Sequence, residues 1–106
     1  MMRNLVLTTS AIADFKDIAQ FVAEQSTSRA LADALIDRLT AQCERLADLP
    51  GTLGTDRSEL TPGLRSTPHR GYVIFFRYTD DAVEIINILH ASRDAIAYFT
   101  DDTGGD

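Results

Sequence analysis

The sequence predicts an α+β fold in which an N-terminal pair of helices packs on a small, mainly antiparallel sheet. Three observations lead there. Apolar residues in the first half recur at helical spacing, in two blocks. Residues 72–90 hold two apolar runs rich in β-branched and aromatic side chains, parted by Asp80-Asp81, which is the pattern of a β-hairpin. The chain has 106 residues, 44% of them hydrophobic, enough for one core without disulfide or metal staples.

In chain order the elements read β-α-α-β-β-β-α. Arg3–Thr8 alternates weakly and is short, so it is expected as an edge strand. Thr9 or Ser10 then offers a hydroxyl to cap a helix. Ile12, Phe15, Ile18, Ala19 and Val22 mark the apolar face of that helix, which should stop near Glu24–Gln25. Asp14 suits the positive end of its dipole. Ser26-Thr27-Ser28 breaks the helix and caps the next, from about Arg29 to Leu49, whose stripe is Ala32, Leu35, Leu39, Leu46 and Leu49. Cys43 lies beside that stripe as a small core residue. Pro50-Gly51 ends the helix.

Residues 52–56 read as a loop. Leu64–Thr67 reads as a short strand limited by Pro68, which cannot donate to a ladder. Tyr72–Tyr78 and Val83–His90 are the main strands. Tyr72, Ile74, Phe76 and Tyr78 line one face of the first, and Val73 and Phe75 the other. In the second, Val83, Ile85 and Leu89 oppose Ile86 and Ile88. A sheet with one wet face should alternate apolar with polar residues, yet both faces here are apolar. One takes the helix pair; the other needs cover from the C-terminal segment or from a partner. Arg93–Phe99 predicts a helical turn or two. Residues 1–100 form one domain, followed by an acidic, flexible tail over 101–106.

Charge and composition exclude several functions. The net charge is −6, which argues against strong direct binding to nucleic acid. The excess sits in the helical half and the tail: residues 54–93 hold five bases and five acids, while residues 94–106 hold four acids and no base. A single cysteine makes no internal disulfide and no thiolate metal site, and the two histidines, His69 and His90, have no helical His/Glu companion. No metal and no cofactor is expected. The apolar run Leu5-Val6-Leu7 is too short for a signal peptide, and no segment has the length to span a membrane, so a cytoplasmic location is expected. Neither a Gly-x-Ser-x-Gly elbow nor a phosphate loop occurs. His90, near Arg93 and Asp94, could serve as a general base; the alternative is a structural histidine that holds the turn. Arg57, Arg65, Arg70, Arg77 and Arg93 would make an anion-binding patch if they shared a face. The alternative is pairing with the equal number of nearby acids for at least three of them.

Several motifs, taken together, resemble the RelE/ParE toxin superfamily, and within it the ParE branch. Arg57-Ser58-Glu59-Leu60 followed by Gly63-Leu64-Arg65 is similar to its Arg-x-Glu-Leu and Gly-Leu-Arg pattern. Tyr72 to Arg77 is similar to its tyrosine-led strand ending in arginine. Val83 to His90, with Arg93-Asp94-Ala95-Ile96 and Phe99, is similar to its closing strand and final helix. The resemblance implies a curved sheet and a toxin that a cognate antitoxin, encoded beside it, neutralises by wrapping it, in assemblies that are often heterotetramers and that serve plasmid stabilisation.

The two branches of the superfamily imply different activities. RelE-type toxins cut mRNA on the ribosome with basic residues and a tyrosine. Here Leu64, Ser66, Val73 and Phe99 stand at such positions, leaving Arg93, with His90 and Tyr98 as possible substitutes. Valine, leucine and phenylalanine neither stabilise phosphoryl charge nor move protons. The ParE branch implies a non-enzymatic inhibitor of DNA gyrase. Arg93, Asp94 and Phe99 are then the expected toxicity residues, and Phe75 and Arg77 the expected antitoxin contacts. Asp94 has a structural alternative as the cap of the last helix. The competing functions are a RelE-type mRNA endonuclease and an inactive homologue that binds only its antitoxin.

Overall fold

A computed structural model describes residues 3–104, and their side chains as far as Phe99. Its elements are β1 (Asn4–Leu7), α1 (Thr9–Ser26), α2 (Arg29–Asp48), β2 (Thr55–Asp56), β3 (Arg65–His69), β4 (Tyr72–Tyr78), β5 (Ala82–His90) and α3 (Ala95–Gly104). The sheet order is β1-β5-β4-β3-β2. β1 lies parallel to β5 and every other pair is antiparallel. Among the described residues no helix is long and apolar enough to cross a membrane.

The first strand and first helix share one residue as their hinge. Thr8 donates its N–H to the Ile85 carbonyl (3.1 Å), and its Oγ1 accepts the Ala11 N–H (3.1 Å). The cap is therefore Thr8, ahead of the expected Thr9 or Ser10, because the last bridge to β5 fixes where the chain turns. α1 ends at Thr27 in the left-handed region (φ 53°), and the Ser28 hydroxyl accepts the Leu31 N–H (3.2 Å) to begin α2. Both helices lay their apolar stripes on the sheet. Ala11, Ile18, Leu39, Cys43 and Leu46 meet Ile74, Phe76, Val83, Ile85 and Ile88 in one buried cluster.

The strands depart from the expected pattern in three places. Thr55–Asp56, read as loop, pairs with Ser66 and Arg65. β3 runs on through Pro68 to His69. Pro68 fits because β2 reaches only as far as Ser66 along that edge, so no neighbour asks for the missing N–H. Arg70 and Gly71, both at positive φ (55° and 84°), then make the two-residue turn of a hairpin.

The third departure decides which residues face which core. Phe75 pairs with Asn87 but Phe76 pairs with Ile85, so Ile86 is a β-bulge. Alternation in β5 shifts phase there. Val83, Ile85 and Ile88 join the helix-side cluster, while Leu89 joins Leu64 and Phe75 on the other face. The expected grouping of Leu89 with Val83 and Ile85, against Ile88, is thereby corrected.

That second face is covered by the chain itself. Ala95, Tyr98 and Phe99 of α3, with Leu60, close over Leu64, Phe75 and Leu89. The helix runs to Gly104, longer than the turn or two the sequence suggested. The tail expected over 101–106 thus overlaps α3, and its last two residues lie outside the described ones.

Candidate functional site

The expected functional residues lie around the junction of β5 and α3. Asp94 Oδ1 accepts the Ala97 N–H (3.1 Å), and the Asp94 carbonyl accepts the Tyr98 N–H (3.0 Å). Asp94 is thus the N-cap of α3, the structural role open to it from sequence. Its neighbour Arg93 is exposed and holds its guanidinium over the Tyr98 ring, 5.1 Å from the centroid. Phe99 is half-buried and meets Phe75 edge-on at 5.0 Å between centroids. Phe75 is itself only 1% exposed, so it presents no surface of its own to an incoming chain. A partner approaching this face meets α3 first.

His90 points away from that arrangement. Its ring stands edge-on to Tyr72, 5.4 Å between centroids. The Ser92 N–H donates to His90 Nδ1 (3.1 Å), and the Ser92 hydroxyl lies 2.7 Å from the same nitrogen. An Nδ1 that accepts leaves the proton of the neutral ring on Nε2. The histidine thereby anchors the turn after β5. A shallow cleft of about 330 Å³ holds His90 and Arg93 together with Asp14, Phe21 and Tyr72. A second, of about 340 Å³, holds Arg77, Asn87, Tyr98 and Phe99 with Thr61 and Leu64. His90 and Tyr98 therefore line different clefts, and Arg93 alone of the three reaches both neighbourhoods.

Three of the five arginines border the second sheet face: Arg57 lies over the Phe75 ring, Arg93 over the Tyr98 ring, and Arg77 lines the cleft with Tyr98 and Phe99. Arg57 pairs with Glu59 (2.8 Å) and Arg77 with Glu84 (2.6 Å). Arg57 also holds the Glu59 carboxyl below its usual range. Arg65 donates to the carbonyls of Leu53 (2.7 Å) and Gly54 (3.0 Å). Among the described residues, pairing with acids thus takes two of the five rather than the expected three or more, and Arg65 is used to tie down the 53–54 turn. Among the described residues no group of three or more His, Cys, Asp or Glu is placed to hold a metal ion.

Two residues that join the clefts were not expected at the site, Asn87 going unremarked and Asp14 being read only as a partner of its helix dipole. Asn87, 4% exposed, donates one amide N–H to Asp14 Oδ2 and the other to the Tyr98 hydroxyl, both at 2.9 Å. Asp14 Oδ2 also accepts the backbone N–H of Ile88 (2.9 Å). β1 stops short of that part of β5, and the carboxylate stands in for the missing strand. α1, β5 and α3 are thus pinned at one buried amide. Asn87 interrupts the apolar run Ile85-Ile86-Asn87-Ile88-Leu89, and that lone polar residue was the available signal.

Known proteins share both this chain's sequence and its shape. The family model described as the ParE toxin of the type II toxin–antitoxin system parDE matches residues 5–95. Toxin ParE3 of Caulobacter vibrioides is 30% identical over 88 residues, which cover 83% of this chain and 86% of the relative. A structure of a chromosomal ParDE system from P. aeruginosa superposes with a TM-score of 0.73 at 20% identity, covering 86% of this chain and 98% of that one. The RelBE2 toxin–antitoxin complex of Mycobacterium tuberculosis gives a TM-score of 0.54 at 17% identity, over 85% and 99%. The two structural likenesses speak for the fold, and the match over residues 5–95 speaks for the family: the chain belongs to the ParE toxins of type II toxin–antitoxin systems.

Proposed function

We propose that this toxin acts by binding DNA gyrase, catalyses no reaction of its own, and is neutralised in the cytoplasm by a cognate antitoxin. The observation that carries the reading is the dispersal of the groups a nuclease would need. His90 spends its Nδ1 on Ser92 in one cleft, while the Tyr98 hydroxyl takes the Asn87 amide in the other. Among the described residues Arg93 lines the first cleft and lies over the Tyr98 ring, while Arg77, paired with Glu84, lines the second. Cleavage of a phosphodiester calls for proton donors and acceptors within reach of one phosphorus, with cations around the charge that builds there. A binding inhibitor needs a shaped surface instead. The rim of α3 supplies one, with exposed Arg93 and Asp94, half-buried Phe99, and Ile96 at 60% exposure.

In this reading Arg93 and Phe99 contact the target, and Asp94 acts by keeping α3 formed. The antitoxin meets the second sheet face through Arg77 and the residues above Phe75, and the complex assembles as a heterotetramer. The test is supercoiling by purified gyrase with this protein added, run beside mRNA cleavage on translating ribosomes. Loss of supercoiling with intact mRNA is expected. Arg93→Ala and Phe99→Ala should each weaken it, while Ser92→Ala leaves it unchanged. Cut mRNA with untouched gyrase would replace this function by ribosome-dependent cleavage. Neither effect, with antitoxin still bound, would leave an antitoxin-binding protein only.

A further inference from the structure

β5 is nine residues long, and β1 covers only its first part, Ala82 to Ile85. Beyond that point side chains close the edge. The Thr8 hydroxyl lies 2.9 Å from the carbonyls of both Ile85 and Ile86, and Asp14 Oδ2 takes the Ile88 N–H (2.9 Å). After Ile88 the closure stops. Because the Ile88 N–H points to this edge, its carbonyl does too, as does the N–H of His90 two residues on. Among the described residues no group bonds either. Ile88 is 2% exposed, and buried backbone polar groups are nearly always paired. Ile88 and His90 both line the cleft of about 330 Å³ between α1 and the turn before α3. One residue of a parallel strand satisfies both groups, its N–H on the Ile88 carbonyl and its C=O on the His90 N–H. β1 already uses that geometry, where Asn4 gives its N–H to the Asp81 carbonyl (2.8 Å).

The walls of the cleft fix the chemistry of what lies there. Phe21, 55% exposed, and the edge-on pair of Tyr72 and His90 offer apolar and aromatic surface. Asp17 on the α1 wall is exposed, and among the described residues no cation pairs with it. We infer that this cleft takes an extended segment of the target, laid parallel to β5, which deepens the function proposed above and rests on it. The segment carries a lysine or arginine against Asp17 and an apolar residue on Phe21. Arg93, the target contact named above, lines the same cleft, so the two contacts form one surface. The antitoxin is the poorer occupant, because Arg77 and the residues above Phe75 border the other cleft. A second copy of this chain is poorer still, since it sets a charge of −6 against −6.

The test uses the full chain with purified gyrase. The His90 amide exchanges fast in the free chain and slows about a hundredfold in the complex, while that of Leu89, bonded to β4, changes little. Phe21→Ala and Asp17→Lys each raise the concentration that halves supercoiling by about tenfold. Both keep the melting temperature and the affinity for the product of the adjoining reading frame. Undiminished inhibition by both variants, or a His90 amide that stays fast in the complex, overturns the cleft as the target's seat and spares the gyrase reading. Gyrase untouched by the unaltered chain overturns both. A His90 amide protected by the antitoxin, with both variants weakened in that complex, assigns the cleft to the antitoxin and overturns the inference.

Discussion

Removing the Asp14 carboxylate should destabilise the fold far more than its place on a helix surface suggests. Asp14→Ala leaves the Ile88 N–H without an acceptor at a residue 2% exposed, and takes one partner from the Asn87 amide at 4% exposed. Each lost bond runs to a charged acceptor, and stranding a buried donor costs about 1–3 kcal/mol. The two together give a loss of about 3 kcal/mol. With a urea slope of about 2 kcal/mol/M, the unfolding midpoint should fall by about 1.5 M at unchanged slope. Asp14→Asn keeps an oxygen in place and gives up only the charge, so about 1 kcal/mol is expected. Amide exchange at Ile88 adds a local readout, because that N–H should become fast in Asp14→Ala while the β4-facing amides of β5 stay slow. A loss below about 0.5 kcal/mol, or an Ile88 amide that stays protected, would refute the idea that this side chain closes the open end of β5.

Three further outcomes follow from other parts of the molecule. Gly54→Ala would place a Cβ 2.7 Å from the Ser66 carbonyl and 2.8 Å from Phe76 Cζ at φ +77°, whereas at Gly51, φ +79°, nothing lies within 4 Å. Gly51→Ala should then cost about 1–2 kcal/mol from backbone strain alone, and Gly54→Ala about 2 kcal/mol more in the same urea titration. Burial pushes the Cys43 thiol up to about 12, so labelling by a thiol reagent at pH 8 should be slow in the native chain and should track unfolding by denaturant. Burial, and then the Arg70 charge, hold the His69 pKa below its ordinary 6.5, against a bond to the Arg38 carbonyl that raises it. The unfolded chain then binds the proton more readily. Stability from this group is full above 6.5 and is lost as pH falls through the folded value, so His69→Gln should flatten the stability curve in the window just below 6.5.

Much of the architecture was legible because it rests on local patterns. The helix stripes, the Ser28 cap and the two long strands follow from spacing and from side chains acting on their own backbone. The two apolar sheet faces were legible too, and one of the two covers considered, the C-terminal segment, is the one observed. What escaped depends on contacts between distant parts of the chain. Thr8 is the cap because β5 holds it. Ile86 bulges because residues on either side of it must serve opposite cores. Asp14 looked like a dipole partner of its own helix, but its acceptor oxygen answers a donor on Ile88, remote in sequence. Among the site residues, Arg93, Asp94 and Phe99 were chosen from the motif. The geometry then separates them, with Asp94 spent on the cap and Phe75 hidden beneath Phe99. Sequence patterns report which face a residue prefers; they carry no record of which neighbour has already claimed its hydrogen bonds.

The parallel pairing of β1 with β5 also sets the order in which this protein can come into being. Asn4 pairs with Ala82, a separation of 78 residues, since 82 − 4 = 78. At about 5–20 residues per second, the first strand waits about 4–16 s of synthesis for its partner. Over that interval the helical hairpin can form, but the β5 half of the core beneath it does not yet exist. A chain broken off before Ala82 is therefore a pair of helices with an uncovered apolar side, marked for aggregation or proteolysis, and not a weaker toxin. The sheet, and every surface built on it, becomes available in a single late step, once β5 has been made.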